Sequence, residues 1–301
     1  MEQGTPSVTA IASAMLRAAH LLWDAPPKIF EDTLALQLSG CATEAALRAQ
    51  FDRLSAQLAR SAGPDFSQTL RRNFTANVVM RARYLEDEVS QAIQRGVCQY
   101  VILGAGLDSF AYRRLDLVEA LRVFEVDHPA TQEWKRARLM ESAIEFPPNL
   151  SLVPVDFEKQ NLIDSLRASG YFTDAPGLFS WLGVTNYLTP DAVFDTLRMI
   201  AALPQGTEII FEYLVPKELV DEATQKVIAV MLAAGADRGE PQQSFFEPAR
   251  LANQVRGLGF AEVSHFGPDE ARSRYFADRA DDLCPSSWNH YMRARVGPRS
   301  E

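Results

Sequence analysis

The sequence predicts an α/β fold in which a doubly wound, mostly parallel sheet follows an all-helical N-terminal segment. Three observations carry that expectation. Hydrophobic periodicity changes near residue 97, from apolar residues spaced at three and four to short apolar runs that alternate with helix-like stretches. A glycine turn, Gly104-Ala105-Gly106, follows the first of those runs. The last two strand candidates lie close together with only a loop expected between them, which predicts an antiparallel pair on the sheet edge.

Up to residue 97 the stretches "TAIASAMLRAAHLLW", "EDTLALQLS", "EAALRAQFDRLSAQLAR" and "RARYLEDEVSQAIQRG" carry the amphipathic helix signal. The last aligns Tyr84, Leu85, Val89, Ala92 and Ile93 and stops at Gly96, a C-terminal glycine. Strands are expected at "YVIL" from 100, "RVFEV" from 122, "LSLVPV" from 150, "GLFSWL" from 177 and "TEIIFEYL" from 207. Helices are expected between them, near 109–119, 129–143, 160–169 and 191–202. Residues 217–248 read as a helix and a mobile polar loop inserted before the final helix "PARLANQVRGLG". "AEVSHF" from 261 and "HYMRARV" from 290 are the edge strands. The expected division is therefore a helical cap over 1–97 and a sheet domain over 98–301 with a lid at about 217–248, forming one compact unit.

Composition narrows the function. The 301 residues are 47% apolar and 23% charged, enough for a sizeable core. A formal charge of −9 opposes a general nucleic-acid or anionic-membrane surface, so a small-molecule partner is expected. Cys41, Cys98 and Cys284 are widely spaced, without a CxxC or Cys/His cluster, so neither a disulfide framework nor a metal site is expected. No leader-like start and no long apolar run occurs, and a cytoplasmic protein, monomer or homodimer, is the expectation.

In a doubly wound sheet the ligand sits outside the carboxyl ends of the strands, at the first βα turn. Gly104 and Gly106 occupy that turn, but a dinucleotide fingerprint would need glycine where Ser109 stands. Asp108 beside a pyrophosphate would bring like charges together; it suits a ligand that bears a cation. A tight turn that needs glycine for steric reasons alone explains the pair equally well. Asp127 ends the second strand where a carboxylate can take the ribose hydroxyls of an adenosine, with Glu125 deeper on the same side. Asp127 also fits as the N-cap of the helix beginning "HPATQEW". After the third strand, Asp156 and Phe157 offer an acceptor for an adenine amino group and a ring against the base.

The series "NVVMRARYLEDEV", "QYVILGAGLDSFAYRR", "RVFEVDHP", "PVDFE", "FSWLGVTNYLT" and "RYFADRADDL" resembles the S-adenosylmethionine-dependent methyltransferases of the leucine carboxyl methyltransferase type, especially the bacterial branch that includes polyketide O-methyltransferases. The likeness runs from about Thr5 to Arg295. It implies a class I methyltransferase (Rossmann-like) fold with an N-terminal helical cap and an inserted lid, and S-adenosyl-L-methionine as cofactor. It further implies that Arg81 binds the methionine carboxylate, that the Gly104-Ala105-Gly106 turn holds the methionine part, that Asp127 takes the ribose, and that Asp156 with Phe157 takes the adenine. Where the members that methylate a protein phosphatase have a glutamate after the fourth strand, this chain has Gly183, which speaks against a phosphatase C-terminus as substrate.

Elementary chemistry agrees. A sulfonium nucleoside with an amino-acid end calls for an arginine, backbone groups at a glycine turn and carboxylates. Arg83, two positions along the same helix, is expected to face elsewhere. Methyl transfer gains mainly from positioning and from exclusion of water, the roles of cap and lid. A carboxylate acceptor needs no general base, whereas a phenol does. None of His20, His128, His265 and His290 has the setting of a base. Tyr187, and less strongly Asn186, stand where the acceptor would be oriented, and a plain packing role explains both equally well; Trp23, Phe74, Phe245 and Phe246 line an acceptor pocket or fill the core. A nicotinamide-dependent oxidoreductase and a non-catalytic nucleoside-binding protein remain as alternatives.

Overall fold

A computed structural model of the chain describes residues 8–62, 64–156, 160–237 and 241–298. Four helices come first: α1 (Val8–Trp23), the short α2 (Ala35–Leu38), α3 (Glu44–Ala62) and the long α4 (Pro64–Gln94). The alternating part follows: β1 (Gln99–Leu103), α5 (Phe110–Arg113), β2 (Arg122–Asp127), α6 (Pro129–Glu141), β3 (Leu150–Pro154), α7 (Leu162–Ala168), β4 (Leu178–Trp181), α8 (Pro190–Ala201) and β5 (Glu208–Leu214). Then come α9 (Glu222–Asp237), α10 (Pro248–Gly257), β6 (Phe260–Phe266), α11 (Pro268–Tyr275) and β7 (Asn289–Val296).

The strands form one seven-stranded sheet in the order β3-β2-β1-β4-β5-β7-β6. The first five run parallel, and β7 lies antiparallel between β5 and β6, with Glu212 opposite Tyr291 and Tyr291 opposite Phe266. Alternation along each strand sorts the core into two layers. Val101, Leu103, Phe124, Val126, Phe179 and Phe211 pack with Leu166 of α7, Leu197 of α8 and Leu251 of α10. Tyr100, Ile102, Val123 and Ile210 pack on the other face with Tyr84, Leu85 and Val89 of α4. Helix α4 thus belongs to the sheet's own core, and α1, α2 and α3 share a separate small cluster through Met15, Ala19, Ala35 and Leu47.

The expected strands and the antiparallel pair are present, and two local expectations are corrected. The helix expected over 109–119 is a single turn at Phe110–Arg113 and a 3-10 turn at Leu115–Leu117, because Arg114, at φ −93° and ψ 53°, leaves helical geometry between them. The loop expected between β6 and β7 contains α11, which buries only Ala271 and so has no apolar stripe to announce it. In the described part of the stretch read as a mobile polar loop, the Phe246 amide donates to Leu214 O at 2.9 Å and the Gln243 amide to Asn186 O at 2.7 Å. Among the described residues no helix is long and apolar enough to cross a membrane.

Candidate functional site

The carboxyl ends of β1, β2, β4 and β5 open on one side of the sheet. There β1 passes into the glycine turn, whose Gly104 and Ala105 amides both donate to Val126 O, at 2.9 and 3.1 Å. Gly104 has φ +67°, and a Cβ on it would overlap Val184 Cγ2 in the segment after β4. Glycine is thus required there on two counts, left-handed backbone and close approach.

Asp127 closes β2 against this turn: its Oδ2 accepts the Gly106 amide at 2.6 Å and its Oδ1 the His128 amide at 2.7 Å. Burial pushes the Asp127 carboxyl above the usual range, with the Gly106 and His128 amides opposing the shift. The cap of α6 is not Asp127 but His128, whose Nδ1 accepts the Ala130 amide at 3.3 Å. Both Asp127 oxygens thus accept backbone amides, one from the glycine turn and one from the start of α6. Glu125, on the same side of β2, is excluded from ligand contact: it is buried and bonded to Lys135 Nζ at 2.6 Å. Burial pushes its carboxyl up to about 7 against the pull of Lys135.

Asp156 is half-buried just past β3, where its amide donates to Gln160 Oε1 at 2.9 Å. Phe157 lies outside the described residues.

Arg81 stands on α4 and reaches β5, α1 and the segment after β4. Its NH1 donates to Glu212 Oε2 on β5 at 3.0 Å and its NH2 to Ser13 Oγ on α1 at 3.2 Å. Gly183, φ +68°, makes room for it, since a Cβ there would lie 2.8 Å from Arg81 NH1. Burial works against the guanidinium's charge, but Glu212 and the Tyr291 and Tyr187 hydroxyls outweigh it, so its proton is held more tightly than usual. Arg83 points elsewhere, to Asp87 at 2.8 Å, and lines a separate cavity of about 580 Å³ with Lys28, Arg274 and Arg279.

Tyr187 ends the 3-10 turn Thr185–Tyr187 that follows β4. The inserted segment holds this turn: Gln243 Nε2 donates to Tyr187 O at 2.6 Å and Ser244 Oγ to Thr185 O at 2.9 Å. Phe246 is buried among Phe194 and Tyr213, Phe245 stacks on Trp288, and Trp23 meets Phe51 within the helical cluster, so these three rings pack rather than stand open.

Helix α1 lies against the glycine turn and Arg81. Ala10 lies against Gly106, with 3.2 Å between its Cβ and a Cβ built on that glycine; Ser13 reaches Arg81, and Arg17 NH2 donates to Leu107 O at 2.6 Å. These residues fall on one helical face at spacings of three, four and seven. Asp32 anchors the same region, accepting Arg17 Nε at 2.7 Å and Ser109 Oγ at 2.7 Å, with Arg113 Nε at 3.4 Å.

Sequence reasoning brought Arg81, the glycine turn, Asp127 and Tyr187 to one end of the sheet and missed Glu212, Ser13, Val184 and Asp32. Glu212 left a signal: with Glu208 it places two carboxylates at same-face spacing in the fully buried strand "EIIFEYL", where an acid calls for a buried partner.

The residue types are those a sulfonium nucleoside with an amino-acid end calls for: a guanidinium packed at Gly183, a backbone turn at Gly104 packed on the adjacent Val184, and a carboxylate bonded to Gly106 of the same turn. Comparison with known proteins agrees. Residues 10–201 match the leucine carboxyl methyltransferase family. A Bacillus subtilis protein named S-adenosyl-L-methionine-dependent methyltransferase YktD is 30% identical over 303 residues, covering 98% of this chain and 99% of that one. An O-methyltransferase family protein from Burkholderia thailandensis superposes with a TM-score of 0.50 at 13% identity, over 97% of this chain and 84% of that one. A methyltransferase from Thermobifida fusca does so with a TM-score of 0.50 at 17% identity, over 99% and 97%. These two structures bear out the class I methyltransferase fold, and the family match displaces the nicotinamide-dependent oxidoreductase. The chain belongs to the leucine carboxyl methyltransferase family and is an S-adenosylmethionine-dependent methyltransferase.

Proposed function

We propose that the enzyme is an O-methyltransferase that methylates a carboxylate, or failing that a phenolic hydroxyl, of a small molecule in secondary metabolism. The observation that carries this reading is the convergence of Arg81, the Gly104–Gly106 turn and Asp127 beside the Thr185–Tyr187 turn. Arg81 takes the methionine carboxylate in a charge-assisted pair, Gly104, Ala105 and Gly106 offer backbone to the methionine part, Asp127 accepts the ribose hydroxyls, and Asp156 with Phe157 receives the adenine. When bound, S-adenosylmethionine supplies a methyl group on a sulfonium, a leaving group that needs no proton.

The chain's own task is then to align the acceptor and keep water away. Tyr187, with Asn186 beside it, orients the acceptor; the helical segment up to residue 97 and the 217–248 insertion act as cap and lid. Each imidazole is engaged away from such a task. His20 lies between Asp24 and the Ile29 amide, His128 caps α6, and His265 and His290 bond each other at 2.7 Å. That arrangement favours an acceptor that arrives deprotonated, as a carboxylic acid does at neutral pH. The net charge of −9 supports a small-molecule acceptor over a nucleic acid.

Incubation with methyl-labelled cofactor and panels of carboxylic acids and phenols tests the reading. The expected product is a methyl ester, which releases labelled methanol in alkali; an alkali-stable ether would assign a phenol. No labelled product from any panel, with cofactor binding intact, would instead favour a non-catalytic nucleoside-binding protein.

A further inference from the structure

We propose that Glu212 is a positioning residue for the amino-acid end of the cofactor, setting the Arg81 guanidinium through a closed ring of hydrogen bonds between α4, β5 and β7. The proposal rests on the reading of Arg81 given above. Both oxygens of Glu212 are used. Oε2 accepts Arg81 NH1 at 3.0 Å, while Oε1 accepts Asn289 Nδ2 at 2.7 Å and the Tyr291 hydroxyl at 3.3 Å. Asn289 Oδ1 in turn accepts Asn77 Nδ2 at 2.8 Å. Asn77 and Arg81 stand one turn apart on α4, so the circuit Asn77–Asn289–Glu212–Arg81 closes on the helix where it began. The Asn77 Oδ1 accepts the Ser286 amide at 3.2 Å, which ties the ring to the chain entering β7.

Burial makes this ring specific. The Glu212 side chain is 5% exposed, and a carboxylate so placed requires a cation. Arg81, at 20%, still meets solvent on its outer side. Glu212 therefore fixes NH1, and the absent Cβ of Gly183 admits the guanidinium. NH2 bonds the Ser13 hydroxyl of α1 and is, on this proposal, the donor that a ligand carboxylate would take. A planar guanidinium held by one edge presents the rest of its fork in a set direction, which bidentate recognition needs.

Glu212 as a mere counter-ion predicts the opposite outcome. A carboxylate that only neutralises Arg81 competes with the ligand's own carboxylate, and removing its charge would tighten binding. A carboxylate that aims Arg81 loosens binding when removed. The probes are S-adenosylhomocysteine, which has the amino-acid end, and 5′-methylthioadenosine, which lacks it, titrated calorimetrically into the full chain. Glu212→Gln is expected to weaken S-adenosylhomocysteine by roughly 10-fold or more and to leave methylthioadenosine within about 2-fold. Asn289→Ala, which removes one donor to Oε1 and keeps both charges, is expected to weaken the same ligand by a smaller factor and again to spare methylthioadenosine.

Unchanged or tighter S-adenosylhomocysteine binding in Glu212→Gln overturns the proposal, as does an equal loss for both ligands. If Glu212→Gln does not fold, the Asn289→Ala result decides by the same criteria. Arg81→Ala separates the two levels of the argument. Should it leave S-adenosylhomocysteine unaffected, the reading of Arg81 fails; should it weaken binding while the Glu212 and Asn289 variants do not, only the positioning role fails.

Discussion

The Gly106 amide donates to Asp127 Oδ2 at 2.6 Å, so the turn after the first strand and the end of the second are one unit. A change at either residue is therefore felt by both. Asp127→Asn keeps one carbonyl acceptor, loses the charge and sets an amide donor against one of the two backbone amides that the carboxylate accepts; on the proposed ribose role it also loses acceptor capacity for the ligand. S-adenosylhomocysteine is expected to bind roughly 10- to 100-fold more weakly by calorimetry, the worth of one or two charge-assisted hydrogen bonds.

Gly104→Ala is expected to destabilise the protein by about 1–3 kcal/mol in urea unfolding. The left-handed backbone at φ +67° and the overlap with Val184 both contribute. The pair separates the causes. Gly104→Ala with Val184→Ala should recover the overlap component and leave about 1 kcal/mol for the backbone. Full recovery would show that φ costs nothing there.

Asp32 is the acid on which the cap region and the glycine loop both lean. Burial alone would raise its carboxyl, but Arg17, Arg113 and the Ser109 hydroxyl hold it below the ordinary carboxylate range. A depressed acid contributes stability above its unfolded pKa, and that contribution is lost as pH falls through the folded value. Asp32→Ala leaves two guanidinium groups without it and is expected to cost about 3–5 kcal/mol at neutral pH, read from denaturant midpoints. Little change in the midpoint would show that the cap region docks without it.

Acid sensitivity should also arise at the far edge of the sheet. Burial, and then the neighbouring His265, push His290 down to about 4. The unfolded state takes up this proton near pH 6.5 and the folded state only near 4, so stability falls as pH is lowered through that window. The loss is on the order of 1 kcal/mol after discount for partial exposure. Thermal melts of wild type and His290→Gln between pH 7 and 4 should show the drop shrinking in the variant. Parallel curves would place the acid response elsewhere.

The sheet was legible because its signals are local. Runs such as "YVIL" and "RVFEV" are bounded by glycine and helix-like stretches, and Asp127 lies next to the strand end that positions it. Helix α11 was missed although its signals were present: Pro268 and two acids in its first turn, Arg272 and Arg274 in its last. It buries one alanine, so hydrophobic periodicity had nothing to register. The site's long-range parts were illegible for another reason. Ser13, Arg81 and Glu212 meet across 199 residues of sequence, counting from 13 to 212, and no spacing rule connects three residues on three elements. The Asp156–Phe157 pair, named from sequence, has only Asp156 among the described residues.

The position of β7 carries one more consequence. Strand β6 precedes it in the chain, yet among the described residues its only partner in the sheet is β7. A polypeptide that emerges in order therefore makes the outermost strand before the strand that would receive it, and its amide row waits for a later segment. Only when β7 pairs with β5, Leu214 opposite Asn289, is β6 joined to the rest of the sheet.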